Sequence, residues 1–467
     1  MTKILLVQPW NYHDEGRNEF DLNREWRNGP YSLLSLAAIL KSNSHDVLIV
    51  DMHRDLVVLQ GDTNACFEKL KKSIRDIKPD IIGFTFFSVH YLEAKKAVRI
   101  ARSECEASGI NAILLAGGIH ATIEPERTLR DLEVDYIFCG EADISLLKFA
   151  DGHNPNSIPG IISKYNLENK KTEHVEILDS LPFPDWSQCD YRFYAHPSVA
   201  RLKVRITRSL DMLMGRGCVN NCNFCAYNAL SPVRFYTAEY LVEQVLNMFN
   251  RFVITGVYFT DSSIGNNRKL IEIFCELILK KGLNKKIEWY GNMRADQVDE
   301  HLLKTMWSAG CRYLFYGYES GSQRVLDLMS KGISVEDNIK AAYLHNNLKF
   351  PYHASIILGY PGEKEEDIFQ TFKFIKKIKP PSVGINWYVP LPGSPDYKRL
   401  KSEGALEADN SCMWRIIGEV NSSRVYADVS EERFRELFRD AENLAYNEIP
   451  KDISSHWELY HNQQANS

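Results

Sequence analysis

Met214-Gly215-Arg216-Gly217-Cys218-Val219-Asn220-Asn221-Cys222-Asn223-Phe224-Cys225-Ala226-Tyr227 is the stretch from which the rest of the chain is best read. Its three cysteines fall at i, i+4 and i+7. That spacing also marks one face of a helix, so a cysteine stripe in a core is the bland reading. Gly215, Gly217, Asn220 and Asn221 favour turns and irregular backbone instead. A loop can fold three thiolates around one soft metal centre, and thiolates select iron–sulfur clusters, zinc or copper(I). A structural zinc ion would want a fourth Cys or His, and none lies close in sequence. Three ligands on a four-iron cluster leave one iron open to chelate a small molecule.

Working outward, the segment follows a short apolar run and opens a series of strand-like stretches separated by helical patterns. The strand-like stretches are Met212–Met214, Val253–Thr260, Lys286–Asn292, Tyr313–Tyr318, His353–Leu358 and Val383–Val389. Asp296 reads as the N-cap of a helix running to Ala309, with Gly310 as its stop. Six strand–helix repeats predict a partial (β/α)6, TIM-like barrel over residues 206–400. Upstream, residues 1–150 alternate in the same manner. Strands are expected at Lys3–Val7, Val47–Val50, Ile81–Phe87, Ala112–Ala116 and Val134–Phe138, with helices at Ser32–Leu40, Cys66–Ile77 and Glu93–Arg102. Such alternation predicts an α/β, doubly wound domain of flavodoxin or Rossmann type, with ligands beyond the carboxyl ends of its strands. Residues 151–205 are turn-rich and read as a linker. Residues 401–467 read as a small helical C-terminal region that closes the barrel or lines a substrate site. There Trp414, Tyr426, Trp457 and Tyr460 are either core or ring-stacking residues.

Composition narrows the function classes. The 467 residues are 44% hydrophobic and 25% charged, ordinary for a globular protein, and the net charge of -5 gives no nucleic-acid footprint. No apolar run is long enough to span a membrane. Met1-Thr2-Lys3 leads into Ile4–Val7, which Gln8-Pro9 ends too soon for a secretory signal. Of ten cysteines, the seven outside the cluster motif are scattered singly and read as core residues.

The motif resembles that of the radical S-adenosylmethionine (SAM) superfamily, C-x-x-x-C-x-x-C with an aromatic residue before the last Cys, here Phe224. The resemblance implies a 4Fe-4S cluster on Cys218, Cys222 and Cys225. In that family the cluster passes an electron to SAM, which splits to methionine and a hydrogen-abstracting 5′-deoxyadenosyl radical. It also implies SAM contacts at Phe224, Tyr227, Asp261, Asn292, Arg294, Glu319, Ser320 and Leu358, most of them at strand ends. Asp261 reads equally as a helix cap, Arg294 as a solvated charge and Glu319 as half of an ion pair. Gly29-Pro30-Tyr31-Ser32-Leu33-Leu34, Ala116–Thr122 and Val134–Glu141 resemble the cobalamin-binding domain often fused before such a barrel. That resemblance implies cobalamin contacts at Ser32, Leu33, Thr85, Ser88, Gly117, Gly118, His120, Gly140 and Glu141. The alternative is a scaffold that no longer holds the cofactor.

Asn11-Tyr12-His13-Asp14-Glu15-Gly16 departs from the Asp-x-His-x-x-Gly of many cobalamin proteins, because Asn11 replaces the carboxylate that would polarise the imidazole. His13 is therefore a surface histidine or, less in keeping with the motif, a cobalt ligand. The leading expectation is a cobalamin-dependent methyltransferase acting on an unactivated carbon of a small-molecule substrate. A non-methylating cyclase or dehydratase is the alternative, and a cobalamin- or redox-sensing regulator a third reading. A flavodoxin or ferredoxin would supply electrons, in a reducing cytoplasm, with no nucleic acid or membrane involved.

Overall fold

A computed structural model of the chain describes residues 1–10, 29–169, 171–195, 208–227, 231–406 and 424–445. The readings of His13, Trp414, Trp457 and Tyr460 lie outside the described residues. Two compact units account for the chain. One comprises Met1–Tyr194, Ala229–Arg234 and Leu391–Val420, the other Ala195–Asn228, Phe235–Pro390 and Asn421–Ser467.

The first unit is built on strands β1 (Lys3–Gln8), β2 (Asp46–Asp51), β3 (Ile81–Thr85), β4 (Ile113–Gly117), β5 (Tyr136–Phe138) and β6 (Ile161–Ile162), in the order β2-β1-β3-β4-β5-β6. The first five are parallel, and β6 runs antiparallel on β5. Ile4, Leu5, Leu6 and Val7 are all buried, as a central strand covered on both faces requires. The helix Thr63–Ile77 buries Cys66, Leu70 and Ile74 at helical spacing. Asp62 caps its start by accepting from the Ala65 N–H, and Lys78 ends it at φ +49°. The helix Tyr91–Ala107 turns Ala94, Ala97, Val98 and Ala101 inward, small residues that permit close packing.

Three expectations need correction. The third strand stops at Thr85, because Phe87 is exposed and Ser88–His90 form a 3₁₀ turn. The stretch read as linker begins by adding β6 to the sheet. It also buries Trp186 completely, with Gly29 so close that an added Cβ would lie 2.3 Å from the indole.

In the second unit β7 (Ser209–Met212) precedes the short pair β8 (Gly215–Arg216) and β9 (Arg234–Phe235). Then follow β10 (Gly256–Phe259), β11 (Glu288–Met293), β12 (Cys311–Glu319), β13 (Tyr352–Leu358) and β14 (Ser382–Trp387). The six longer strands form an all-parallel sheet in which each strand lies beside its neighbour in sequence, from β7 to β14. Helices Ala238–Arg251, Arg268–Lys280, Glu300–Ser308, Val335–Leu348 and Glu365–Ile378 make the crossovers. One face of the sheet packs Phe259 and Trp289 edge-on to Phe274 of a crossover helix. The other face carries Tyr258, Asn292, Phe315 and His353. The third correction is a cap: Asp299, not Asp296, accepts from Leu302 N–H at the start of Glu300–Ser308. Asp296 instead accepts from Arg294.

Candidate active site

The cysteine loop leaves the end of β7, and the strands that follow hold its first residues in place. Asp261, just past β10, is buried, and its two carboxylate oxygens accept the N–H groups of Met214 (2.8 Å) and Gly215 (2.9 Å). Burial pushes its pKa up to about 7 even though both bonds favour the charged form. Its carbonyl accepts from Asn292 Nδ2 at 2.7 Å, and Asn292 Oδ1 accepts from the Tyr258 hydroxyl. Gly217 adopts φ +83°, turning the backbone into the three cysteines.

Cys222 is buried, while Cys218 and Cys225 are partly exposed. The Cys225 N–H donates to the Cys222 carbonyl, and Tyr227 N–H donates to Cys225 Sγ at 3.4 Å. Burial raises the Cys218 thiol, but hydrogen bonds from Ser262, Asn220 and Asn266 more than offset it and leave it below the ordinary range. Burial raises Cys222 by more than Lys331 and then Arg294 lower it, so the thiol stays above the ordinary range. Burial also raises Cys225, and the neighbouring Cys222 and Cys218 raise it further.

These observations fit a thiolate-bound cluster. The three sulfurs act on one another electrostatically, Lys331 and Arg294 act on Cys222, and the Tyr227 N–H points at Cys225. Among the described residues no three His, Cys, Asp or Glu side chains close on a single ion.

The remaining predicted SAM contacts divide into two sets. Arg294 and Glu319 are brought to Lys331, the first donating to its carbonyl (3.0 Å) and the second paired with its ammonium (2.7 Å). Glu319 sits at φ +61° beside a bulge in β12. Phe224 lies beneath the same ammonium, 5.6 Å from ring centroid to Nζ. Ser320 and Leu358 lie at strand ends but are fully buried. The Ser320 hydroxyl pairs with Thr371 Oγ1 and accepts the Ser322 N–H, which is a loop-stabilising role.

Sequence reasoning missed Lys331, Asn223 as an anchor, and Glu363. Glu363 is buried, and Oε2 accepts the Gly359 and Tyr360 N–H groups. Burial lifts its pKa to about 8. Gly359-Tyr360-Pro361-Gly362-Glu363 could have yielded that role, since a carboxylate at the end of a glycine turn is placed to bind its N–H groups.

In the first unit the predicted residues gather at the carboxyl ends of β3, β4 and β5. Thr85 ends β3, Ser88 Oγ pairs with His120 Nδ1 at 2.9 Å, and Gly117 ends β4. Gly118 takes φ +88°, where an added Cβ would lie 2.7 Å from Thr85 Oγ1. Burial holds the His120 imidazole neutral, its pKa lowered to about 3. The Gly140 N–H donates to Thr122 Oγ1. Ser32 is exposed and Leu33 buried on the first turn of the helix Tyr31–Ser42. Glu141 departs from expectation, because its carboxylate is taken by Ser231 and Arg234. Gly117 leaves open space at the end of β4 that a ligand could enter. An added Cβ there would meet nothing closer than Phe138 at 3.7 Å, so internal packing does not explain the bare backbone. Phe87, two residues past the end of β3, presents an exposed apolar ring.

A loop of three thiolates at the carboxyl edge of a sequentially ordered parallel sheet, downstream of a doubly wound domain with a bare strand end, defines an iron–sulfur enzyme that carries a second cofactor domain. Residues 212–375 match the family model of the radical SAM superfamily, and residues 27–150 match that of the B12 binding domain, so both domains are present in this chain. The fold therefore implies a 4Fe-4S cluster, SAM and cobalamin.

Among similar proteins, an uncharacterized methyltransferase of Pyrococcus horikoshii is 26% identical over 443 residues, covering 91% of this chain and 90% of that one. An anaerobic magnesium-protoporphyrin IX monomethyl ester cyclase of Cereibacter sphaeroides is 25% identical, covering 86% of this chain and 64% of the cyclase. The structure of TsrM, a radical SAM methyltransferase from Kitasatospora setae with cobalamin and a [4Fe-4S] cluster bound, superposes with a TM-score of 0.64. That match has 17% identity and covers 87% of this chain and 76% of TsrM. No helix among the described residues is long and apolar enough to cross a membrane.

Proposed function

We propose that this chain is a cobalamin-dependent radical SAM methyltransferase acting on an unactivated carbon of a small molecule. The observation that carries the reading is the presence in one chain of a B12 binding domain and a radical SAM domain. When bound, the cluster and SAM supply a hydrogen-abstracting 5′-deoxyadenosyl radical, and methylcobalamin supplies the methyl group.

The chain's own residues do the positioning. Cys218, Cys222 and Cys225 hold the cluster and leave one iron for the amino and carboxylate groups of SAM. Asp261 braces the loop through backbone N–H groups, and Asn292 braces Asp261. Arg294 and Glu319, with Phe224 and Tyr227, present charge and ring surface to SAM at the strand ends. Ser320 and Leu358 shape that rim from behind. On the first unit Ser32, Leu33, Thr85, Ser88, Gly117, Gly118, His120 and Gly140 form the cobalamin cradle, with Glu141 tying down its border. The electron donor is a flavodoxin or ferredoxin, and the compartment is the reducing cytoplasm.

The test is anaerobic reconstitution of the full chain, followed by incubation with a low-potential reductant and SAM labelled on its methyl group, in an extract of small metabolites. The reading expects 5′-deoxyadenosine together with S-adenosylhomocysteine and a labelled product. 5′-Deoxyadenosine without S-adenosylhomocysteine would move the assignment to a non-methylating reaction such as that named for the cyclase relative. Neither product would overturn radical chemistry altogether.

A further inference from the structure

The turn Leu328–Lys331 follows the helix Gln323–Leu328 and has no role in the reading above. It grips the two residues that separate Cys222 from Cys225. Asn223 N–H donates to the Met329 carbonyl at 2.8 Å. Asn223 Nδ2 donates to the Leu328 carbonyl and to Ser330 Oγ, both at 2.9 Å. Next to this grip the Lys331 ammonium stands over the Phe224 ring.

Lys331 is an unusual residue to find there. Its side chain and that of its partner Glu319 are each only 8% exposed. Removing two charges from water costs several kcal/mol per ion, which a single ion pair does not reliably return. The local backbone is shaped to keep the pair. Glu319 and Ser330 both hold positive φ. Gly317 leaves the necessary gap, since a Cβ there would lie 2.2 Å from Glu319 Oε1 and 3.1 Å from Lys331 Nζ. Arg294 secures the Lys331 carbonyl from a second side.

We propose that Lys331 is a positioning residue for the cluster: held by Glu319, its ammonium fixes Phe224 between two of the cysteine ligands and places a buried positive charge that favours the reduced cluster. The proposal rests on the assignment of the cluster to Cys218, Cys222 and Cys225. Nearby charge and hydrogen bonding to the sulfurs are the protein's levers on such a potential.

The experiment is a redox titration followed by electron paramagnetic resonance. It uses the full chain, anaerobically reconstituted with iron and sulfide and without SAM, so that a lost SAM contact cannot mimic the result. Lys331→Met should shift the midpoint potential to more negative values, and Glu319→Gln, which leaves the ammonium unneutralised, to more positive values. Lys331→Arg should restore the wild-type potential and signal shape. Equal potentials in wild type and Lys331→Met, at equal iron content, would overturn the proposal. If Lys331→Met does not fold, an unmoved potential in Glu319→Gln overturns it instead. Absence of any cluster in the wild-type chain would sink the underlying assignment, a distinguishable outcome.

Discussion

At the scale of single residues, Asp261 does the most with one side chain. A carboxylate offers two acceptors to two N–H groups, whereas an amide offers one acceptor and an unwanted donor. Asp261→Asn should therefore destabilise the chain by about 1–3 kcal/mol and lower the iron retained after reconstitution, read by denaturant titration and iron analysis. The pH dependence has a definite sign. Because burial raises this carboxyl from 3.8 to about 7, the folded chain keeps a proton over that range that the unfolded chain has released. Stability from this group is present below about pH 4, falls as pH rises toward 7, and changes no further above it. The melting temperature of the apo chain should drop between pH 5 and 7.5, with a smaller drop in Asp261→Asn. Identical drops would assign the effect to other groups. The cysteines admit a simpler check. Cys225→Ala should abolish the iron–sulfur absorbance and 5′-deoxyadenosine formation while leaving the far-ultraviolet circular dichroism unchanged.

At the scale of elements, the turn after β13 makes a distinct prediction. Gly359 holds φ +89°, and an added Cβ would lie 2.8 Å from the Phe434 ring. That ring and Phe438, on the helix Glu431–Asn443, pack against Trp387 of β14. Gly359→Ala should cost about 1–3 kcal/mol in strain, measured by denaturant unfolding, and should loosen the helix Glu431–Asn443, measured as faster amide exchange there than in β12. The elements were the part most legible in the sequence, because a strand buried on both faces reads as an unbroken apolar run and its crossover helix as a 3.6-residue period. Ile4–Val7 is of this kind, all four residues being buried. Legibility failed where one residue had two suitors. Asp296 looked like a helix cap, but Arg294 claims its carboxylate, and Asp299 caps instead. Lys331 was unreadable because nothing in Met329-Ser330-Lys331-Gly332 tells a buried lysine from a solvated one. Its burial depends on Glu319, a partner brought near by the bulge in β12. The cysteine loop was legible because its spacing and the glycines around it are local.

At the scale of the whole molecule, the two cofactor assignments are separable by experiment. Gly117→Val adds bulk at a strand end where the protein itself has room. It should lower the cobalamin retained after desalting severalfold while leaving the iron–sulfur absorbance intact. Loss of both would mean the first unit has misfolded. Unchanged retention would move the cobalamin cradle away from β4.

The order of the second sheet also bears on how the chain is made. Apart from the short β8–β9 pair, each strand of the large sheet from β10 to β14 pairs with the strand of that sheet synthesised just before it, so this unit can assemble stepwise as it leaves the ribosome, with short-range closures at each stage. The first sheet cannot do so, because β3 must come to rest against β1 on the side away from β2. The cysteines emerge right after β7, whereas Asp261 emerges after β10, Arg294 after β11, and Glu319 and Lys331 together at and after the end of β12. The nascent thiols are thus born without their holder. The grip on Asn223 can form only after the turn at Leu328–Lys331 has itself been made.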